Sequence, residues 1–186
     1  MERNLAHVAM FAALIAALGL VPAITLGFGV PISAQTLGVM LAGAVLGWKR
    51  GVAACLLFIL LVALGLPLLA GGRGGLGVFM APTTGFLLGW IPAAAVTGLF
   101  VEKSGIRHPG LAAGLGAVLG GVLVLYVFGI AGMALALKKS LAEATLLSAA
   151  FIPGDLLKAV VTGLLVQVLA QVRPQSIAWQ RRDGAS

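Results

Sequence analysis

Long apolar runs recur along nearly the whole chain and are separated by short polar or glycine-containing breaks. A helix needs about 20 predominantly apolar residues to cross the hydrocarbon core of a bilayer. The runs therefore predict six membrane-spanning helices, at residues 5–24, 32–48, 51–70, 78–101, 109–137 and 144–172. The fold class that we expect is an all-α polytopic membrane protein, with the six helices packed in one bundle.

Charged residues are too few to cover a surface that faces water. Of 186 residues, 12 are Lys or Arg and 5 are Asp or Glu, while 61% are hydrophobic. A soluble domain carries about 25% charged residues, so a soluble enzyme, a nucleic-acid-binding domain and a disordered linker are excluded. We expect residues 1–186 to form a single integral-membrane domain that ends in a short basic tail at 173–186.

The basic residues are distributed unevenly between the two ends of the predicted bundle. Six spans place both termini on one side, and eight basic residues lie on that side: Arg3, Lys49, Arg50, Lys103, Arg107, Arg173, Arg181 and Arg182. Three lie on the other side: Arg73, Lys138 and Lys139. Because Lys and Arg are enriched in cytoplasmic loops, both termini are predicted to be cytoplasmic. The net charge of +7 is thus an indicator of orientation.

Two charged residues, Asp155 and Lys158, lie well inside a predicted span, in the stretch IPGDLLK at residues 152–158. Charged side chains inside a membrane are costly and are usually functional. A spacing of three places both on nearly the same face of a helix, and Pro153 predicts a kink or a new helical segment. Two interpretations remain open: a structural ion pair that neutralises itself, and a recognition point for a ligand in a cavity.

Other polar residues map to the same outer half of the bundle. Tyr126 is expected at a depth similar to that of Asp155, and the glycine-dense loop at 71–77 is expected to act as a lid. We predict an outward-facing pocket formed by Asp155, Lys158, Arg73, Gln35, Thr83, Thr84 and Tyr126. The predicted pocket residues other than Asp155 and Lys158 each have a structural alternative as well. Arg73 can be a solvated loop residue, the two threonines can bond their own helix backbone, and Gln35 can join helices. Tyr126 and Trp90 can be packing residues.

Alanines recur four residues apart on the first predicted helix: Ala9 with Ala13, and Ala12 with Ala16. Small residues at this spacing let another helix backbone approach closely. The pattern has two interpretations, packing within this bundle and a docking surface for another membrane subunit.

Three stretches occur in a fixed order along the chain. The first is VPISAQTLGV at 30–39, followed by LGWKRG at 46–51. The second is AGGRGGLG at 70–77, preceded by GLP at 65–67 and followed by PTTGFL at 82–87, and the third is IPGDLLK at 152–158. Together with the length and the six-span plan, they resemble the BioY family, the biotin-specific S-components of energy-coupling-factor transporters. The family more often has tyrosine where this chain has Phe86, and glycine where it has Thr84.

The resemblance implies biotin as the substrate and a bacterial cell membrane as the location. It assigns Asp155 to the ureido N–H groups of biotin, and Lys158 to either the ureido carbonyl or the carboxylate. Arg73 is a second candidate for the carboxylate. It also implies a transmembrane coupling subunit, contacted through Ala9, Ala13 and their neighbours, and a pair of cytoplasmic ATPases. ATP is used by those partners and no cofactor is expected, in keeping with the lack of a P-loop sequence in this chain.

The sequence leaves two alternatives to a biotin-binding subunit, each from another functional class. One is an intramembrane enzyme that uses Asp155 and Lys158 as acid and base, although the sequence offers no nucleophile–histidine set, metal-ligand cluster or paired carboxylates. The other is an independent, ion-coupled permease, which the shortage of buried carboxylates for proton or sodium coupling disfavours.

Overall fold

The helices account for most of the chain in the computed structural model, which describes residues 2–22, 24–25, 31–177 and 179. The α-helices in this part are α1 Glu2–Leu18, α2 Gln35–Leu46, α3 Trp48–Ala63, α4 Thr84–Lys103, α5 Pro109–Val118, α6 Leu125–Leu137, α7 Leu141–Ala149 and α8 Ile152–Val172. A π-helical turn, Leu119–Val124, joins α5 to α6, so that residues 109–137 form one continuous helix. Short 3-10 helices lie at Leu76–Met80 and Pro174–Ser176.

The expected all-helical class is confirmed. Three helices in the described part are long and apolar enough to cross a membrane: Thr84–Lys103, Pro109–Leu137 and Ile152–Val172. Two shorter apolar helices are present at Asn4–Leu18 and Gln35–Leu46. Two very short strands, β1 Ile24–Thr25 and β2 Pro31–Ile32, pair antiparallel between α1 and α2. The sequence pattern does not predict this hairpin, because each strand has only two residues.

Several helix boundaries differ from the predicted spans. The third helix ends at Ala63 rather than residue 70, just before the chain turns at Gly65 with a φ of 103°. The fourth α-helix begins at Thr84 rather than residue 78, because a 3-10 helix occupies the intervening segment. The predicted sixth span is divided into α7 and α8. Pro153 lies in the first turn of α8, where its missing N–H breaks no helical hydrogen bond, so the predicted break at this proline is confirmed.

Close backbone contact between α4 and α6 depends on glycine. A Cβ atom at Gly85 of α4 would lie 2.8 Å from the Cα of Gly132 in α6, and it would also meet the carbonyl oxygen of Phe128. Helices approach this closely where both carry small residues at the contact. Because α4 also contacts α2, α3 and α5, this approach positions the central helix of the bundle.

The two alanine pairs of α1 lie on different faces. Ala12 is 3% exposed and belongs to the hydrophobic core, and Ala16 is partly buried against that core. Ala9 and Ala13 are exposed. Ala12 and Ala16 face the helices against which α1 packs, α2 and α3, so in this structure they contribute to packing within the bundle. Ala9 and Ala13 are the pair that is accessible to a partner, and binding of a coupling subunit stays a prediction.

The beginning of the predicted basic tail packs against the bundle. Ile177 is fully buried, and the indole Nε1 of Trp179 donates a hydrogen bond of 2.8 Å to the backbone carbonyl of Ala44 in α2. Residues 178 and 180–186 lie outside the described part of the chain. The tail is thus joined to α2 through Trp179.

Gly85→Ala should lower the stability of the protein, because the added methyl group meets backbone atoms of α6 that cannot move independently. Overpacking of this kind costs about 1–3 kcal/mol. Gly77→Ala is the matched control, since a Cβ atom there meets nothing within 4 Å. Thermal unfolding of the detergent-solubilised protein measures both, and equal melting temperatures for the two variants would contradict the close approach of α4 and α6.

Candidate ligand-binding site

A partly open pocket lies where the N-terminal ends of α2, α4 and α8 meet the loop between α3 and α4. Its empty volume, including the open space at its mouth, is about 630 Å³. The lining residues are Ser33, Gln35, Thr36, Leu69, Ala70, Arg73, Thr83, Phe86, Leu87, Trp90, Phe151, Asp155 and Lys158. Three helix N-termini, each with a partial positive charge, favour negative charge in this region.

Asp155 and Lys158 form an ion pair in the wall of the pocket. Lys158 Nζ lies 2.8 Å from Asp155 Oδ1, and the two side chains are 16% and 6% exposed, respectively. Thr36 bridges the pair: its hydroxyl donates to Asp155 Oδ1 at 3.0 Å and accepts from Lys158 Nζ at 2.9 Å. A buried ion pair is stable only when further hydrogen bonds satisfy its partners, and Thr36 supplies two of them.

Tyr126 satisfies the other carboxylate oxygen. Its buried hydroxyl donates a hydrogen bond of 2.8 Å to Asp155 Oδ2. This bond places the two residues at the same level of the bundle, as the sequence predicts. Tyr126 is not among the residues that line the pocket, so it acts on the pocket through Asp155.

Gln35 holds the loop that carries Arg73. Its Nε2 donates to the carbonyls of Ile15 at 3.1 Å and Leu68 at 3.0 Å, while its Oε1 accepts from the backbone N–H of Ala70 at 2.9 Å. Both N–H groups of the Gln35 amide therefore bond to backbone carbonyls. Gln35 joins α1 to the loop, which is the structural role considered for it above.

Arg73 is positioned by its own loop. Its backbone pairs with Leu69 through bonds of 3.0 and 3.2 Å, and its Nε donates to the carbonyl of Ala70 at 3.1 Å. Partial burial lowers the pKa of the guanidinium from its ordinary value, and arginine nonetheless stays protonated in proteins. Hydrogen bonds thus hold residues 69–73 of the loop in this structure, and the role of residues 71–77 as a lid stays a prediction.

The two threonines of the PTTG motif have different surroundings. Thr83 lines the pocket. Thr84 does not, because its hydroxyl faces the backbone carbonyls of Val78 at 3.0 Å and Ala81 at 2.7 Å. Of the seven residues predicted for the pocket, five line it, while Thr84 and Tyr126 do not.

An aromatic wall completes the pocket, and its residues are not among those predicted for the site from the sequence. The ring of Phe86 packs edge-on against Tyr126 and Phe151, at centroid distances of 5.7 and 5.9 Å. Trp90, interpreted above as a packing residue, lines the pocket and also contacts Phe58 at 5.5 Å. The spacing of these residues could have revealed the wall. Phe86, Leu87 and Trp90 follow Thr83 by three, four and seven residues, which places all four on one helix face.

The pocket can hold a mostly apolar ligand that has a few polar groups. Arg73, Lys158 and Asp155 are the ionisable residues of its wall, so two positive charges and one negative charge leave a net charge of one positive unit. No group of three or more His, Cys, Asp or Glu suited to a metal ion occurs among the described residues. The arrangement is suited to binding a small organic anion through hydrogen bonds and apolar contact.

Comparisons with known proteins show which family the chain resembles in sequence and in fold. The model of the BioY family matches residues 2–175. The chain is 59% identical over 186 residues to the biotin transporter BioY of Rhodobacter capsulatus, covering 95% of this chain and 98% of that protein. It is 52% identical over 170 residues to the biotin transporter BioY of Rhizobium etli, covering 88% and 90% of the two chains. A crystal structure of the S-component for biotin from an ECF-type ABC transporter matches with a TM-score of 0.86 and 32% identity, over 91% of this chain and 92% of that one.

Tyr126→Phe should destabilise the protein, because it leaves Asp155 Oδ2 without its phenolic donor. A hydrogen bond to a charged group contributes about 1.5–3 kcal/mol. Thr145→Val is the control, since it removes an exposed hydroxyl that bonds only to the carbonyl of Leu141 in its own helix. Chemical or thermal unfolding in detergent measures the stability of each variant. A Tyr126→Phe variant with the same unfolding midpoint as the wild type would show that the bond contributes nothing to stability.

Proposed function

The chain belongs to the BioY family, and we propose that it is the biotin-binding S-component of an energy-coupling-factor transporter. One observation carries the proposal most directly: a pocket with aromatic and apolar walls contains a single carboxylate beside two cationic side chains. Biotin is an apolar bicycle with two ureido N–H donors at one end and a carboxylate at the other. Its polar groups therefore require an acceptor and a cation, and both are present.

Each charged residue has a distinct role in this proposal. Asp155 accepts the ureido N–H groups, since an ionised carboxylate is an acceptor only. Arg73, on the loop at the mouth, is suited to the valerate carboxylate, because a guanidinium binds a carboxylate through paired hydrogen bonds. Lys158 neutralises Asp155 in the empty pocket through its 2.8 Å contact and has a third N–H available for ligand. The ion pair is thus both a structural element and part of the recognition site.

The membrane arrangement that we propose has six spans, with α7 and α8 together forming the sixth. Both termini are cytoplasmic, and the membrane is the inner membrane of a bacterial cell. The excess of basic residues on the side of the termini supports this orientation. The pocket then opens to the outside, where biotin is captured.

The partners that we propose are a transmembrane coupling subunit and cytoplasmic ABC-type ATPases. The structural relative is an S-component of an ECF-type ABC transporter, and this chain has no P-loop sequence with which to bind ATP. Ala9 and Ala13 are exposed on α1 and supply small residues for a close helix contact. Neither an intramembrane enzyme nor an ion-coupled permease is favoured. The relatives are named as biotin transporters BioY, and their family is a family of transporters rather than of enzymes.

Purified protein should bind radiolabelled biotin saturably, and separate Asp155→Asn and Lys158→Ala substitutions should each weaken binding. Loss of a hydrogen bond to a charged group corresponds to a decrease of about tenfold to a hundredfold in affinity. Lys139→Ala is the control, because Lys139 forms its ion pair with Glu143 outside the pocket, with 42% and 53% of the two side chains exposed. Absence of saturable biotin binding by the wild type would refute the function. Unchanged affinity in both pocket variants would restrict the pair to a structural role.

Ala9→Leu and Ala13→Leu should reduce co-purification with the coupling subunit and leave biotin affinity unchanged, because the larger side chains keep a partner helix at a distance. Ala136→Leu on α6 is the control, since Ala136 is also exposed but lies on another helix. Pull-down from cells that express all subunits measures the effect. Normal co-purification of both α1 variants would show that the coupling subunit binds elsewhere.

A further inference from the structure

Large apolar side chains are exposed along one side of α3 and in the loop that follows it. Leu56, Leu60 and Leu64 are exposed, and their spacing of four residues places them on one helix face. In the loop, Leu76 and Met80 stand at the two ends of the 3-10 helix and are 73% and 85% exposed. Exposed apolar patches on a protein mark surfaces that contact a membrane or another protein.

The depth of this surface follows from α4, which is long and apolar enough to cross a membrane. Glu102, near the end of α4, accepts a hydrogen bond of 3.0 Å from the backbone N–H of Trp48, the first residue of α3. The two helices therefore reach the same level at the end of the bundle opposite the pocket. Because α3 has 16 residues and α4 has 20, α3 is about 6 Å shorter. The end of α3 at Ala63 thus lies within the depth that α4 spans.

The loop returns to the level of α3 before the 3-10 helix begins. The backbone N–H of Gly75 donates a hydrogen bond of 2.8 Å to the carbonyl of Val62, which belongs to the last turn of α3. Leu76 follows Gly75 directly, so it lies close to the depth of that turn. The exposed leucines of α3 and the start of the 3-10 helix therefore belong to the same layer of the membrane that α4 crosses.

The backbone of this loop is hydrogen-bonded in the way that a position in lipid requires. Non-helical backbone occurs at membrane depth only where it packs on protein or lines a cavity, because lipid offers its polar groups no partner. The N–H groups of Leu66, Leu69 and Arg73 donate to backbone carbonyls, and that of Ala70 donates to the side chain of Gln35. Leu69, Ala70 and Arg73 also line the pocket. The loop thus lines the cavity on one side and exposes apolar side chains elsewhere.

We propose that the loop between α3 and α4 is seated in the outer leaflet of the membrane, where Leu64, Leu76 and Met80 contact phospholipid acyl chains. The proposal rests on the membrane arrangement proposed above and does not depend on the identity of the ligand. Lipid is the occupant that the geometry favours, because the exposed surface of the loop continues the exposed stripe of α3 at the same depth. The segment that carries Arg73 is then supported by lipid as well as by the protein.

The experiment attaches a nitroxide spin label to single Leu76→Cys and Met80→Cys variants of the full chain in phosphatidylcholine vesicles. Power saturation compares collisions of each label with oxygen, which concentrates in lipid, and with a nickel chelate, which stays in water. Leu60→Cys on α3 is the lipid control, and Lys139→Cys is the water control, since the Lys139 side chain is 42% exposed and forms an ion pair with Glu143. The chain has one native cysteine, Cys55, which is buried, and the wild type treated with the label gives the background.

We expect the oxygen-to-nickel collision ratio at Leu76 and Met80 to approach that at Leu60 and to exceed that at Lys139 severalfold. Ratios equal to that at Lys139 would overturn the proposal, because the loop would then lie in water. Few collisions with either reagent would overturn it in favour of a covering protein, such as a second copy of this chain. A water-like ratio at Leu60 would refute the membrane arrangement on which the proposal rests.

Biotin binding is measured on the same labelled samples as a separate result. A lipid-like ratio in protein that binds no biotin would refute the proposed function and leave the position of the loop in place. A water-like ratio at Leu76 and Met80 in protein that binds biotin would overturn the position of the loop and leave the function in place.

Discussion

The buried carboxylate of Asp155 is the constraint on which the pocket end of the bundle depends. A charge in this position is tolerable only if opposite charge and hydrogen-bond donors surround it. The donors come from three helices: Thr36 of α2, Tyr126 of α6 and Lys158 of α8 itself. Satisfying one carboxylate therefore fixes the relative positions of α2, α6 and α8. Removing one partner of a buried ion pair typically costs about 3–5 kcal/mol, so the network is coupled to the stability of the fold.

The pocket separates groups that hold the structure from groups that remain available to a ligand. Gln35 uses its amide to fasten the loop to α1, and Thr84 directs its hydroxyl to the turn before α4. Trp90 and Phe86 belong to the aromatic part of the pocket wall. Arg73 is held by its backbone and by Nε, which positions its guanidinium in the wall of the pocket. A preorganised site of this kind loses little conformational freedom on binding, which favours affinity for a small ligand.

Much of the fold and part of the site could be predicted from the sequence, because charge is scarce in an apolar chain. Asp155 and Lys158 stand out for that reason, and Pro153 marks the break before them. The faces of α1 could not be predicted, since Ala9 and Ala12 look alike until packing buries one of them. The aromatic wall was missed because Phe86, Phe151 and Trp90 do not contrast with an apolar span. Thr84 and Tyr126 were placed in the pocket because residue type does not reveal where a hydroxyl points.

The structure of the biotin complex tests the central claim most directly. The account predicts biotin in this pocket, with its ureido nitrogens within hydrogen-bonding distance of the Asp155 carboxylate and its own carboxylate directed toward Arg73. Tyr126 should still bond to Asp155 Oδ2. Biotin bound elsewhere on the protein, or bound in the pocket without a polar contact to Asp155 or Lys158, would contradict the account.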